Sequence, residues 1–493
     1  MTNTPHHDIA IVGAGISGIG AACRFRSQFP EDSLAVIESR SAIGGTWDLF
    51  RYPGIRSDSD MLTLGYDFRP WVGDKVLADG PSIKNYVRNV ADEHGITPYI
   101  QFNSKVTSLH FSSDSDLWTL KISDMKTGET REIQSRFVIA AAGYYKYDEG
   151  YTPHFEGREN FKGDIIHPQH WPENYDYSGK KIVVIGSGAT AVTLVPEMSE
   201  TAEHVTMLQR SPTYIASVPA KDHIGNFLRS VLPAGLAFRL ARAKNIWLQR
   251  YMYKRTRTNP KKVREWFLKR AQKALGPDYP VDKHFTPDYN PWDQRVCAIP
   301  DGDLFAAIRK GRASVVTDHI DTFTEHGIRL KSGEELPADV IITATGLNVV
   351  FSGGLDFIID GRPIRASDSF GYKGVMFSDI PNMITVFGYT NASWTLRADL
   401  VSRYAVRLIG HMKKRGLTRA VPVAPEGMPR NPWIDFQAGY LQRVMDQLPS
   451  QGDKHPWLNL QDYKRDQSIL LEDPVDDGAL EFSGPTPVAI AAE

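Results

Sequence analysis

Short apolar runs that end in glycine recur along this chain, and the first of them lies near its start. Residues 8–12 (Asp-Ile-Ala-Ile-Val) predict a buried strand, and the segment Gly13–Gly18 follows at once. The pattern then predicts a helix to about Arg26 and a strand over residues 34–38, which ends on a carboxylate. Strand, glycine turn, helix, strand and acid in this order are typical of a dinucleotide-binding unit.

Each residue type in this first unit has a physical role. Gly13 permits the tight turn, Gly15 lets a pyrophosphate approach the backbone, and Gly18 lets the helix pack close to the strand. The helix N-terminus offers free N–H groups to phosphates, and Glu38 would accept hydrogen bonds from ribose hydroxyls. The alternative is a glycine-rich surface turn. The flanking elements and the acid favour a dinucleotide site, and the acid suits the ADP half of FAD.

The pattern occurs a second time. Residues 181–185 predict a strand, and residues 204–209 predict another, which ends on Arg210 and Ser211 instead of an acid. The turn and helix start between these strands comprise Gly186, Ser187, Gly188, Ala189, Thr190, Ala191 and Val192. An acid at the strand end would repel a ribose 2′-phosphate, whereas an arginine would bind one. The second unit therefore favours NADPH, unless Arg210 is simply a solvated cation.

Two further apolar runs end at Gly143 and Gly346, where we expect the chain to cross between domains. The sequence thus predicts an α/β protein with two Rossmann-like dinucleotide-binding domains. The expected segments are residues 1–145 (N-terminal part of the FAD-binding domain), 146–340 (NADPH-binding domain, with a helical insertion at about 221–290) and 341–493 (C-terminal part of the FAD-binding domain, and a tail).

Composition excludes several classes of protein. The 493 residues carry 57 basic and 58 acidic side chains, and 41% are hydrophobic, which is typical of a globular protein of two or three domains. A disordered chain and a nucleic-acid binder that relies on overall positive charge are excluded. The two cysteines, Cys23 and Cys297, exclude a disulfide framework or a cysteine-built metal site, and we expect no metal. Apolar runs too short to span a bilayer and the absence of signal-peptide features predict a cytoplasmic protein.

Between the two glycine motifs lies a third motif that narrows the family. Phe161, Gly163, His167, Trp171 and Pro172 fit the pattern FxGxxxHxxxWP at every fixed position. The stretches Gly44–Asp58 and Gly388–Trp394 add two more signature strings. Together with both dinucleotide motifs, these segments resemble type I Baeyer–Villiger flavoprotein monooxygenases over nearly the whole chain. Within that family, the chain is most similar to the ethionamide-activating monooxygenase group.

The resemblance implies a reaction. NADPH reduces FAD, O2 forms a C4a-peroxyflavin, and one oxygen atom is inserted into a ketone to give an ester or lactone. Sulfoxidation of thioether or thioamide compounds is an expected side activity. The alternative is a related flavin monooxygenase that mainly oxidises soft nitrogen or sulfur atoms. Two other functions share such nucleotide-binding folds. A disulfide reductase would need a redox cysteine pair, which Cys23 and Cys297 are too distant in sequence to form as a CxxC motif. A non-catalytic flavin sensor would show no NADPH consumption in response to substrate.

The resemblance also assigns site residues. Arg295 would be the active-site cation and Asp58 its partner; the alternatives are a surface arginine and a helix-capping aspartate. Ser17, Thr46, Trp47, Asp48 and Leu49 would lie along FAD, Val106 would meet its adenine, and Arg56, Ser57 and Asp58 would touch the nicotinamide end. Many relatives have lysine where this chain has Gln294, which leaves the preference for NADPH more dependent on Arg210. His167 and Trp171 would hold the linker between domains and would not transfer protons.

The helical insertion is strongly basic. Residues 221–273 contain fifteen lysines and arginines but two acids, with apolar side chains interleaved. Such a segment is either a helical cap with a solvated basic face or a surface that rests on anionic lipid. The expected partners are therefore a small ketone or sulfide substrate and O2, with no nucleic acid, and with a peripheral membrane contact as the open alternative.

Overall fold

Both βαβ patterns form as predicted. The computed structural model describes residues 4–435 and 438–484; the expected tail lies outside the described residues from position 485 onward. In the first unit, the strands His6–Val12 and Leu34–Ile37 pair in parallel across the helix Ile16–Gln28. In the second, the corresponding elements are Lys181–Ile185, Ala189–Met198 and His204–Gln209. The α/β fold class is confirmed.

The first sheet draws its strands from distant parts of the chain. Among the described residues it has nine strands. Their spatial order is Arg362–Ile364, Asp356–Ile359, Ser104–Ser112, Leu117–Asp124, Thr130–Ala140, His6–Val12, Leu34–Ile37 and Ile100–Gln101, with Met383–Thr385 also paired to Thr130–Ala140. Because Met383–Thr385 joins the sheet that begins at His6, the chain returns to its first unit after building the second.

The second sheet is wholly parallel in the part of the chain that the structure describes. Its five strands run in the order Ala313–Thr317, His204–Gln209, Lys181–Ile185, Val340–Thr343 and Asp164–Ile166. Val183 and Val184 of the central strand are fully buried, as expected of a parallel sheet that is covered on both faces.

The two sheets are linked by a short antiparallel pair, Tyr145–Gly150 with Leu347–Val349. These strands follow Gly143 and Gly346, whose φ angles of +78° and +114° suit glycine. The outgoing and returning chains therefore lie side by side. The other small sheets are Ile320–Thr324 with Gly327–Leu330 and Glu335–Pro337, Gly371–Tyr372 with Met376–Phe377, Arg419–Pro422 with Leu480–Ser483, and Asn431–Pro432 with Ser450–Gln451.

The insertion consists of the helices His223–Val231, Ala234–Thr258, Pro260–Leu275 and Val281–His284. Its two ends meet in a parallel pair, Tyr214–Val218 with Val296–Pro300. The remaining helices are Thr46–Leu49, Met61–Leu64, Gly80–Glu93, Asp303–Arg309, Trp394–Arg415, Gly439–Gln442 and Tyr463–Leu471, with 3₁₀ turns at Thr97–Tyr99, Arg158–Asn160, Pro168–His170, Phe351–Gly354, Ala366–Asp368 and Met445–Gln447. A search of the described helices finds none with the length and apolar character that crossing a bilayer requires.

Candidate active site between the two nucleotide units

A single large cavity of about 1530 Å³ joins the two units and the helical insertion. Its wall includes Gly13 and Glu38 from the first unit, Thr190 from the second, and Gln249 from the insertion. Asp58 and Arg295 also line it. Some of the residues that the sequence assigned to each of the two cofactors therefore border one continuous space.

The first glycine turn forms a close cradle at the helix N-terminus. Gly13 has a φ of +104°, and a Cβ there would lie 2.7 Å from the carbonyl oxygen of Ala141. A Cβ on Gly18 would lie 1.8 Å from the carbonyl oxygen of Gly13, so the helix can approach the turn only because position 18 is glycine. Gly15 bridges to Gly44, which brings the second glycine segment against the cradle. These features fit a pyrophosphate held against bare backbone.

Glu38 lies at the cavity wall and is 4% exposed. Its Oε2 accepts a hydrogen bond from the backbone N–H of Ala14 at 2.7 Å, and its Oε1 accepts one from the N–H of Arg40 at 2.8 Å. Burial raises the pKa of the Glu38 carboxyl, and these hydrogen bonds oppose that effect. Glu38 thus also fixes the glycine turn, a role that sequence reasoning did not assign to it.

The five residues predicted to lie along FAD divide into two groups. Ser17, Thr46 and Trp47 line the cavity, as does Val106 on its strand. Asp48 and Leu49 do not belong to the lining; Leu49 packs in an apolar core.

Asp48 is instead the centre of an ion-pair cluster with Arg40, Arg51 and Lys84. Although burial opposes ionisation, hydrogen bonds from Lys84 and Arg40 hold the pKa of Asp48 below its usual value. In this structure the Asp48 carboxylate therefore holds neighbouring basic side chains together.

Arg295 and Asp58 come together as the sequence predicted. Arg295 directly precedes the strand Val296–Pro300, and Asp58 lies in the loop before the helix Met61–Leu64. Arg295 Nη2 lies 3.3 Å from Asp58 Oδ2. The side chain of Arg295 is 40% exposed and that of Asp58 is 36% exposed, and both line the cavity. The carboxylate of Asp58 raises the pKa of the Arg295 guanidinium, so this cation stays charged at every working pH. Gln294 is half-buried and does not line the cavity.

A second arginine faces the same cavity. Arg56 Nη1 lies 2.8 Å from the carboxylate of Asp303, at the start of the helix Asp303–Arg309 in the second unit. Burial raises the pKa of Asp303, and Arg56 opposes that rise. Arg56 and Ser57 both line the cavity. The Arg56–Asp303 ion pair thus joins the first unit to the second, and Asp303 was not found from the sequence because nothing in its local pattern marks it.

The second glycine turn is more open than the first. Gly186 has a φ of +140°, and a Cβ there would lie 2.3 Å from the carbonyl oxygen of Ala344, whereas Gly188 has free space. Ser187 Oγ donates to the carbonyl of Ser211 at 3.1 Å, so the turn and the following strand end are adjacent. Ala189 and Thr190 line the cavity, while Ala191 and Val192 are buried in the helix.

Arg210 is exposed at the end of its strand, beside this turn and outside the cavity lining. That position is open to solvent and to a ligand that extends over the turn.

His167 connects the linker to the returning chain. Its Nε2 donates to the carbonyl of Gly346 at 3.2 Å, and its Nδ1 accepts from the N–H of Gln169. A Cβ on Gly150 would lie 1.9 Å from the ring, so this glycine makes room for the imidazole. His167 does not line the cavity, and Trp171 packs edge-on against Tyr175. His167 thus ties the segment after Ile166 to the chain that returns at Gly346.

Sequence reasoning missed a polar network that ties the insertion to the Asp58 loop. Asp60 accepts hydrogen bonds from Asn245 Nδ2 and Gln249 Nε2, both at 2.9 Å. Thr63 Oγ1 also donates to Asp60 and lies 2.6 Å from Ser393 Oγ. The helix Ala234–Thr258 is thereby anchored two residues from Asp58. Asp60 could have been noticed in the Ser-Asp-Ser-Asp run, but its partners are distant in sequence.

A second missed group is aromatic. Tyr144 stacks on Trp394 with ring centroids 5.1 Å apart, and its hydroxyl lies 2.7 Å from that of Tyr145. Trp394 Nε1 donates to Ser17 Oγ at 2.8 Å, which joins this cluster to the first helix. All of these residues line the cavity. Two sequence features could have pointed to this aromatic cluster: the apolar run that ends at Gly143, just before Tyr144 and Tyr145, and the string Gly388–Trp394.

Neither cysteine forms a redox pair: Cys23 and Cys297 are both free and buried, and burial raises the pKa of each thiol to about 12. Within the described residues, no group of three His, Cys, Asp or Glu side chains could hold a metal ion.

With this geometry established, comparison with known proteins gives the family. Residues 76–419 match the flavin-binding monooxygenase-like family, and residues 11–69 match an NAD(P)-binding Rossmann-like domain. The chain belongs to the flavin-binding monooxygenase-like family. It is 50% identical to the FAD-containing monooxygenase EthA of Mycobacterium tuberculosis H37Rv over 490 residues, 99% of this chain and 100% of that protein.

Two further similarities extend the comparison. The probable FAD-binding monooxygenase AlmA of Acinetobacter baylyi is 49% identical over 484 residues, 98% of this chain and 97% of that protein. Among solved structures, an oxidized steroid monooxygenase bound to NADP superposes with a TM-score of 0.78 at 23% identity, covering 97% of this chain and 100% of that one. The prediction of a flavoprotein monooxygenase is confirmed at the level of family and fold.

Proposed function

We propose that this flavin-binding monooxygenase-like protein uses FAD, NADPH and O2 to convert ketones into esters or lactones. The overall balance is ketone, O2, NADPH and one proton giving ester, water and NADP⁺. The observation that carries the proposal is the Arg295–Asp58 ion pair, which shares one cavity with the glycine cradle of the first unit. When bound, FAD and NADPH supply the activated oxygen and the reducing equivalents.

The residues fit these two cofactors. We assign FAD to residues 1–145 and 341–493, where Gly13, Gly15 and Gly18 leave bare backbone for the pyrophosphate. Ser17, Thr46, Trp47 and Val106 border the same cavity. We assign NADPH to residues 146–340, with Gly186 and Gly188 at the pyrophosphate and with Arg210 and Ser211 at the 2′-phosphate. EthA, 50% identical to this chain, is described as FAD-containing, and AlmA, 49% identical, as probably FAD-binding. Both descriptions support the assignment of FAD.

Arg295 has the chemistry that ester formation requires. A carbonyl under attack by an oxygen nucleophile develops negative charge on its own oxygen, and a fixed guanidinium stabilises that charge. Asp58 holds the guanidinium by its Nη2 atom and leaves other N–H groups of the fork free to face the cavity. The stacked rings of Tyr144 and Trp394 supply apolar wall to the same cavity.

The second candidate function is oxidation of soft nitrogen or sulfur atoms, with no ketone conversion. The same cavity would serve it, but that chemistry needs no cation to stabilise a carbonyl oxygen. The fixed Arg295–Asp58 pair therefore favours ketones, and oxidation of a thioether or thioamide is the expected side activity. The partners are a small ketone or sulfide and O2. The proposed location is the cytoplasm.

The deciding experiment uses ¹⁸O2 and a simple ketone with the purified, FAD-loaded protein and NADPH. The product should be an ester or lactone that contains one ¹⁸O atom, detected by mass spectrometry. Arg295→Ala should reduce ester formation by about 10²–10³-fold while FAD stays bound. The matched control is Arg312→Ala, because Arg312 pairs with Glu200 outside the cavity. Ready sulfoxide formation with no labelled ester would establish the second candidate.

A further inference from the structure

We infer that one face of the insertion docks on an anionic lipid bilayer, and that lipophilic substrates pass from the bilayer into the cavity through that face. The docking face comprises the exposed apolar and basic side chains of residues 221–273. The lipid contact is independent of the reaction, whereas the delivery of substrate rests on the proposed function.

The first observation is where the exposed apolar side chains lie. Twelve large apolar residues are exposed in the described part of the chain, and nine of them belong to residues 221–273. These nine are Ile224, Phe227, Val231, Leu236, Leu240, Trp247, Leu248, Tyr251 and Trp266. Scattered exposed apolar residues need no explanation, but a concentration of this kind marks a contact surface.

The helix His223–Val231 presents its apolar face outward. Ile224, Phe227 and Val231 are 58%, 64% and 57% exposed, while the helix buries only Gly225 among its residues. An amphipathic helix on a protein surface normally packs that face inward.

The orientation of this helix is fixed by polar contacts. Asp222 caps its N-terminus by accepting from the N–H of Gly225 at 2.8 Å, and Lys244 pairs with Asp222 at 2.6 Å. Arg229 donates to the carbonyl of Val72, itself 74% exposed. These polar contacts fix the helix in the orientation that leaves its apolar side chains exposed.

The helix Ala234–Thr258 extends the face. Leu236, Leu240, Trp247 and Tyr251 follow one another at helical spacing, so they lie along one stripe. Trp247 and Tyr251 stack with ring centroids 5.2 Å apart. Tryptophan and tyrosine are the side chains best suited to a boundary between headgroups and acyl chains.

The charge of the same segment selects the partner. Residues 221–273 contain fifteen basic side chains and two acidic ones, so the segment carries a large positive charge. Arg239, Lys254, Arg255, Lys261 and Lys262 are exposed and form no ion pair with any described residue. Basic side chains beside an apolar stripe match an anionic bilayer, whereas two copies of this face would repel each other.

The cavity opens in this face. Ile224, Leu248 and Trp266 are exposed and also line the cavity. Farther inside, Leu64, Met252 and Phe267 form part of the wall, and the same cavity reaches Arg295. A lipophilic ketone could therefore leave the bilayer and reach the reaction centre without crossing water.

The test is sedimentation of the full, FAD-loaded protein with vesicles of phosphatidylcholine, with or without phosphatidylglycerol. Binding should require phosphatidylglycerol and weaken as salt is raised. The variant Lys254→Gln/Arg255→Gln should bind these vesicles at least tenfold more weakly than the parent protein. Lys121→Gln/Lys126→Gln loses the same charge outside the docking face and should bind as the parent does. Phe227→Ser/Val231→Ser/Trp247→Ser should also lose binding, with Val423→Ser as the exposed apolar control.

Activity separates lipid contact from substrate delivery. The Phe227, Val231 and Trp247 variant should turn over a water-soluble ketone at the ordinary rate but lose turnover of a long-chain ketone supplied in vesicles. The inference is overturned if the protein stays in solution with phosphatidylglycerol vesicles at low salt, or if that variant binds as well as the parent. Vesicle binding without any ketone conversion would leave the docking face intact and refute the proposed function.

Discussion

Asp58 and Arg295 approach to 3.3 Å although they lie in opposite halves of the chain. Asp58 lies in a loop of the first unit, and Arg295 directly precedes the strand Val296–Pro300, which pairs with Tyr214–Val218 at the base of the insertion. The Asp60 contacts to Asn245 and Gln249 fix the insertion close to this pair. The ion pair is therefore a meeting point of three parts of the molecule.

Replacing Asp58 by Asn should slow ketone conversion about fivefold without loss of FAD. The pair is more than one-third exposed, so solvent screening limits its worth to about 1 kcal/mol, which is about fivefold in rate. The measurement is kcat with ester as the product. Asp74→Asn is the control, since Asp74 is an exposed carboxylate 3.9 Å from Arg229. An unchanged kcat would show that Asp58 does not position Arg295.

Replacing Gly18 by Ala should impair FAD binding and the fold. The new Cβ would lie 1.8 Å from the carbonyl oxygen of Gly13, so helix and turn must separate, at a cost of about 1–3 kcal/mol. The measurements are the ratio of flavin to protein absorbance and the melting temperature. Gly188→Ala is the matched control in the second turn: nothing lies near its Cβ, so the fold and FAD content should stay unchanged. Equal FAD content in both variants would contradict the cradle.

Replacing Arg210 by Gln should reduce the preference for NADPH over NADH. A charge-assisted hydrogen bond to the 2′-phosphate is worth about 1.5–3 kcal/mol, so kcat/KM for NADPH should fall about 10–100-fold while that for NADH is retained. Steady-state NADPH and NADH oxidation measure both constants. Arg309→Gln removes an arginine elsewhere in the second unit and should change neither. A parallel loss with both nucleotides would place Arg210 away from the 2′-phosphate.

His167 should make the fold less stable as the medium becomes acidic. Burial lowers the pKa of its imidazole below the ordinary value of 6.5. The unfolded chain therefore binds the proton more readily, and stability that is fully present above pH 6.5 is lost as the pH falls below it.

The check is the melting temperature between pH 8 and pH 5. His167→Gln should flatten this dependence by at most about one proton, whereas His319→Gln at the surface should leave it unchanged. A parallel pH dependence in His167→Gln and the parent protein would contradict the assignment. FAD content at pH 8 verifies that the variant is folded.

The contrast between Asp48 and Asp58 shows how far the motifs could be used. Both lie in the same signature stretch, and the resemblance assigned both to a cofactor or to the site. The structure brings Asp58 to the cavity, whereas Asp48 lies outside the cavity lining and pairs with Arg40, Arg51 and Lys84. A motif fixes which residues are near one another in sequence, but not which direction each side chain takes.

The sequence by itself determined the two βαβ units, because glycine turns, apolar strand patterns and strand-end residues act over a few neighbouring positions. The family resemblance of the sequence also assigned Arg295 and Asp58 to one site. The tertiary structure alone decided the Arg56–Asp303 pair, the Asp60 network and the outward apolar face of the insertion. These depend on contacts between residues far apart in the chain, and such contacts follow from how whole elements pack, which no local pattern encodes.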